Sequence, residues 1–202
     1  MPLPPPAPVL LDCDDVLLAW LPAFAAHLHA TTDLRPDPAG PQDWDMTAWI
    51  GARDKAHTHA LIAAFNRPET PAFSRLAPIE GAPEALTRLR AQGRPLHVIT
   101  AVGDDPALVA ARERNLRDVF GDIFASIRCV PVGGDKRGHL RALPRGAWIE
   151  DNHRHALAGQ EIGHHPVVLR RSHNRQHEAD CAAGLTWVDG WPDITAMLAA
   201  AA

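Results

Sequence analysis

Short apolar runs alternating with helix-length amphipathic stretches, from residue 81 onward, limit what this chain can fold into more than any other feature. Gly81-Ala82-Pro83-Glu84 opens a helix with proline in its first turn, and Gly93 closes it. Residues 96–100 read as a buried strand, and 106–120 as a helix with Leu108, Leu116 and Val119 on one face. The rhythm continues with a strand over 123–130, a short helix over 136–143, a strand over 147–150 and a helix over 152–162 closed by Gly163. Strands over 166–169 and 185–188 and a last helix over 192–200 complete it. Such repetition predicts an α/β fold, a parallel sheet with helices on both faces. Ligands of these sheets bind beyond the carboxyl ends of the strands, so polar groups at strand ends can be read as a set.

The first strand stands apart. Val9-Leu10-Leu11 stops at Asp12, as a buried parallel strand stops at its carboxyl end. Leu17, Leu21, Phe24 and Leu28 recur at helical spacing and predict a helix over 16–30. Residues 31–45 carry Pro36, Pro38, Gly40 and Pro41 and are expected to be irregular. A second helix is expected over 53–65, after which Pro68, Pro71 and Pro78 break the chain again. This block is too long for one crossover. Residues 17–79 therefore read as a small helical cap inserted after the first strand, and 1–16 with 80–202 as the core domain.

Composition excludes several classes. A net charge of −4 is wrong for a nucleic-acid polymer binder, which needs a basic surface. No apolar run approaches the roughly 20 residues of a membrane span, and the proline-rich start lacks the features of a signal peptide. Cys13, Cys129 and Cys181 are scattered, with no CxxC pair, so a reducing cytoplasm is the simplest compartment. Cys13 reads as a small buried residue pointing away from its acidic neighbours. His57 and His59, like His153 and His155, stand two apart on predicted helices and point away from each other, which disfavours shared metal ligation. His153, just past Asp151, is within reach of a bound substrate. His164, His165 and the loop over 170–177 read as a solvated, somewhat basic surface.

Four strand ends carry chemistry: Asp12 and Asp14 after the first strand, Thr100 with Ala101 after the second, Lys136 beyond the third, and Glu150-Asp151 after the fourth. Each has a bland reading, as a helix cap or a solvated side chain. Together they suit attack on a phosphate monoester, where charge on the dianion must be neutralised before a carboxylate can approach. Asp12 and Asp151 offer hard oxygen ligands for Mg²⁺. Asp14 could protonate the leaving oxygen and then deprotonate water. Thr100 and Lys136 could donate to phosphoryl oxygens.

Asp12-Cys13-Asp14-Asp15-Val16, the apolar run ending in Thr100, Lys136, and Trp148-Ile149-Glu150-Asp151 resemble, in order, the four motifs of the haloacid dehalogenase (HAD) superfamily. The resemblance spans nearly the whole chain after the proline lead-in. It implies a Rossmann-like core (the HAD fold) and an aspartyl-phosphate intermediate on Asp12, with Asp14 as acid/base. It also implies Mg²⁺ held by Asp12, the Asp14 backbone carbonyl and Asp151, Glu150 in an outer shell, and Lys136 on the phosphate. Asp15 departs from the pattern, since many members have glycine there. The inserted block sits where the C1 group of the superfamily carries its cap.

Val16-Leu17-Leu18-Ala19-Trp20, Arg171-Ser172-His173-Asn174 and Trp187-Val188-Asp189 are similar to segments of 5'(3')-deoxyribonucleotidases. That similarity implies an aromatic substrate pocket at Trp20, with Trp44 and Trp49 as a stacking wall for a base. The competing reading packs all three indoles between cap and core. The expected partner is a small phosphorylated metabolite, a nucleoside monophosphate or a sugar or polyol phosphate. A reading of another class makes the chain a non-catalytic phospho-ligand-binding module.

Overall fold

The computed structural model describes residues 6–181 and 184–200. Six parallel strands, β1 (Val9–Leu11), β2 (Leu96–Thr100), β3 (Ser126–Cys129), β4 (Ala147–Glu150), β5 (His165–Leu169) and β6 (Thr186–Val188), form one sheet. Their order is β3-β2-β1-β4-β5-β6. The strand order thus reverses at β1, which is buried along its length between β2 and β4. This is the expected Rossmann-like α/β architecture.

Alternation of side chains along the strands separates two cores. Val9, Leu11, Val98, Ile149 and Val167 share the larger cluster with Leu86 of α5 (Ala82–Ala91), Leu116 of α6 (Pro106–Phe120) and Ile194 of α9 (Trp191–Ala200). Leu10, Ile99 and Trp148 share another with Leu140 of α7 (Arg137–Arg141). Trp148 also lies under Gly159 of α8 (His153–Glu161), where a Cβ would stand 2.5 Å from the indole Cδ1, so that helix can lie on the sheet only with glycine there. Asp105 caps α6 through the Ala107 and Leu108 N–H groups, and Asn152 caps α8 through Arg154 N–H.

Between β1 and α5 lie α1 (Trp20–Thr31), α2 (Thr47–Ile50), α3 (Lys55–Phe65) and α4 (Pro71–Ser74). Their apolar faces join the larger core through Phe24, Leu28, Ile50, Phe65 and Phe73. Asn115 of α6 clasps this block from below. Its Oδ1 accepts from Leu76 N–H at 2.9 Å and its Nδ2 donates to the Leu76 carbonyl at 3.1 Å.

Several boundaries differ from those expected. The first helix begins at Trp20, not at 16, because Val16, Leu17 and Leu18 all donate backbone N–H groups to the Cys13 carbonyl in a tight turn. Pro71 opens a helical turn rather than only breaking the chain, since a first-turn proline needs no N–H partner. The third strand shortens to Ser126–Cys129, and Lys136 stands just before α7 rather than in it. Of the surface expected at His164, His165 and 170–177, His165, Arg175 and Gln176 are exposed, whereas His164, His173 and Asn174 are buried, each with hydrogen bonds to backbone or carboxylate. Among the described residues, no helix is long and apolar enough to cross a membrane.

Candidate active site

β1 and β4 run in register, Leu11 beside Ile149, and Asp12 N–H still donates to the Ile149 carbonyl at 2.9 Å. Asp12 and Asp151 therefore leave the sheet side by side at the point where strand order reverses. On the other flank of β1, β2 ends with buried Thr100, followed by half-buried Ala101. Parallel pairing brings these strand ends side by side.

Lys136 arrives from the β3–α7 connection and is almost wholly enclosed. Its Nζ donates to Asp12 Oδ1 and to Glu150 Oε1, both at 2.6 Å. Expected on phosphoryl oxygens, it holds the Asp12 carboxylate, with one of its three protons left to donate elsewhere. Two carboxylates raise its pKa despite burial. Burial, with Asp151 and Asp14 nearby, pushes Asp12 up to about 6 against the pull of Lys136. Glu150 is also pushed up, chiefly by burial, and its Oε2 accepts from the N–H groups of Asp151 and Asn152 at 3.0 and 2.8 Å. It pins the turn that presents Asp151.

Asp151 has partners that the sequence reading missed. His173 Nε2 donates to its Oδ2 at 3.0 Å, and Asn174 Nδ2 donates to its carbonyl at 2.7 Å and to that of Leu169 at 2.8 Å. Against burial, His173 holds the Asp151 carboxyl below its usual range. Arg171, on the same segment, donates through Nε to the Asp15 carbonyl at 2.8 Å. The stretch after β5 thus wraps the ends of β4 and β1. Its one outward sign was the His173-Asn174 pair within a basic run.

Asp14 is half-buried, and burial raises its pKa against the opposing charge of Arg112, whose guanidinium lies 2.9 Å away. Arg112 was also missed, although its spacing gave a signal: it falls four residues from both Leu108 and Leu116, on the apolar face of α6. Cys13 lies in the larger core, and burial pushes its thiol up.

One carboxylate oxygen from each of Asp12, Glu150 and Asp151 lies within 4.8 Å of the other two. Glu150 already serves Lys136 and two N–H groups, so the carboxylates open to a cation are Asp12 and Asp151. The buried carboxylate oxygens of Asp12 and Asp151 are hard donors of the kind that suits a divalent cation such as Mg²⁺.

The three tryptophans do not form one wall. Trp20 stacks against Phe24 and Phe65 and donates to Asn66 Oδ1 at 2.8 Å; Trp49 packs on Phe24 and donates to the Asp37 carbonyl at 2.8 Å. Both are buried inside the inserted block. Trp44 stands apart with its ring 4.4 Å from that of His173. His153 stacks on His177 at 4.2 Å.

With this geometry, the protein takes the fold of HAD-family hydrolases and phosphatases. A HAD-family hydrolase from Deinococcus radiodurans, crystallised with bound phosphate and sodium, superposes with a TM-score of 0.63 at 20% identity, covering 98% of this chain and 96% of its own. A predicted phosphatase from Clostridium acetobutylicum gives a TM-score of 0.66 at 12% identity, covering 95% and 97%. A mutant of CbbY from Rhodobacter sphaeroides, in complex with xylulose-(1,5)bisphosphate, gives 0.57 at 17% identity, covering 92% and 94%. No family model matches the chain, and no curated protein does.

Proposed function

We propose that this chain is a Mg²⁺-dependent phosphomonoester hydrolase with Asp12 as nucleophile. The observation that carries this reading is the Asp12 carboxylate held at 2.6 Å by Lys136, beside Asp151, at the switch point of a HAD-type sheet. Asp12 attacks phosphorus, the bond to the ester oxygen breaks, and Asp14 gives that oxygen a proton. A water then loses a proton to Asp14 and attacks phosphorus; the bond to Asp12 breaks and phosphate leaves. Lys136, with Thr100 and the Ala101 backbone, donates to the phosphoryl oxygens as charge moves onto them. The Asp12 and Asp151 carboxylates and the Asp14 carbonyl would hold Mg²⁺, which would supply the charge neutralisation that lets a carboxylate approach a dianion.

The block over 17–79 serves as the cap of this site. A sugar or polyol phosphate is the favoured substrate class, because Trp20 and Trp49 spend their faces and N–H groups within the block. The CbbY neighbour, with its bound sugar bisphosphate, supports the same class. A nucleoside monophosphate keeps one support, the Trp44 ring beside His173.

Phosphate release from an aryl phosphate tests the chemistry. Wild-type protein should turn over with Mg²⁺ and stop with chelator, and Asp12→Asn should lose all activity above background. Turnover that survives Asp12→Asn would remove Asp12 from the reaction. Sugar phosphates and deoxynucleotides compared side by side decide the substrate class.

A further inference from the structure

α6 carries one cation into the core. The Arg112 side chain is wholly enclosed, with Nη2 2.9 Å from Asp14 Oδ1 and Cζ 4.8 Å over the ring of Phe73. Among the described residues, none of Nε, Nη1 and Nη2 has a hydrogen-bond partner, so the 2.9 Å approach to Asp14 is an ion pair and not a directed hydrogen bond. A buried guanidinium so poorly supplied with acceptors costs stability that an apolar residue of similar volume would not. Asp14 is divided by this contact: its side chain is 28% exposed, yet Oδ1 is buried against Arg112. The exposure therefore belongs to the other side-chain atoms.

We propose that Arg112 is a positioning residue for the acid/base carboxylate: by holding Asp14 Oδ1 it leaves Oδ2 free to face the ester oxygen. The inference rests on the phosphatase reading above. Its consequence is specific to proton donation. A carboxylate that turns freely still lets Asp12 displace a good leaving group, which departs without a proton. A poor leaving group needs the proton delivered as its bond to phosphorus breaks. Phe73 belongs to the inserted block, and Asn115, one turn along α6, holds Leu76 of the same block. The anchor of the acid is thus built partly from residues of the insertion.

The test compares an alkyl phosphate with 2,4-dinitrophenyl phosphate in wild-type protein and Arg112→Met. The alkyl ester should slow by about 10²-fold, the lower end of what a general acid contributes, while the dinitrophenyl ester changes little. Arg112→Lys should recover most of the alkyl rate, and Arg112→Met should add no further loss in an Asp14→Asn background. Equal losses on both esters, or none on either, overturn the positioning role. If Arg112→Met fails to fold by circular dichroism, the same ratio is read from Arg112→Gln, with Arg112→Lys kept as the variant that retains it. Wild-type protein inactive on both esters overturns the phosphatase reading together with this one. Wild-type activity with equal losses in the variants overturns this one alone.

Discussion

Asp15 has the left-handed backbone that glycine usually supplies, with φ +56°, and among the described residues it is alone in this apart from glycines. The turn demands it: Asp15 N–H donates to the Leu18 carbonyl at 2.7 Å while the Cys13 carbonyl gathers the following amides. The side chain offsets the strain. Ala19 occupies the N-cap of α1 and has no capping atom, so the Asp15 carboxylate accepts from Leu21 N–H instead, at 3.1 Å. Asp15→Ala should lose about 1–2 kcal/mol, combining a lost cap with an unrelieved left-handed residue, whereas Asp15→Asn should stay close to wild type. Urea denaturation of the two variants checks this, and an Asp15→Ala protein of wild-type stability would refute the capping role. The departure from glycine, visible in the sequence, is therefore a substitution with its own compensation. The compensating partner, Leu21 N–H, could not be read locally because the expected helix ran straight through the turn.

Elements were legible where their pattern was local. The apolar runs that became β1, β2 and β4, the Pro106 helix start and the Gly93 and Gly163 stops all describe contiguous residues. What joins the insertion to the sheet is not contiguous. Asn115 and Leu76 are 39 residues apart, and both polar groups of Leu76 depend on one amide side chain. Asn115→Ala should leave a buried N–H and carbonyl unpaired and cost about 2–3 kcal/mol. Faster hydrogen exchange at the Leu76 amide, with the amides of β1 unchanged, is the expected signature. Uniform loss of protection would mean that the insertion does not open separately from the sheet. Arg112 shows the same limit from another side: its place on the apolar face of α6 was readable, but its partner Asp14 was not.

At the scale of the whole molecule, Asp12, Asp14, Asp15, Glu150 and Asp151 converge at one end of the sheet, answered by Lys136, Arg112 and Arg171. A divalent cation should therefore bind the folded state. Mg²⁺ at about a hundred times its Kd should add about 2.7 kcal/mol, read as a rise in Tm over the protein in chelator. Asp151→Asn should abolish that rise, and a wild-type Tm indifferent to Mg²⁺ would count against the metal site. By itself the sequence determined the α/β class, the helical stretch that follows the first strand and the acids at the strand ends. Hydrophobic periodicity and strand termini are properties of neighbouring residues, and they survive without knowledge of the rest. Only the tertiary structure decided that Lys136 holds Asp12, that His173 and Asn174 hold Asp151, and that Trp20 and Trp49 turn inward. The first of those contacts depends on the strand order β3-β2-β1-β4-β5-β6, which brings residues more than a hundred positions apart within hydrogen-bond reach, and none of them is encoded by a local pattern.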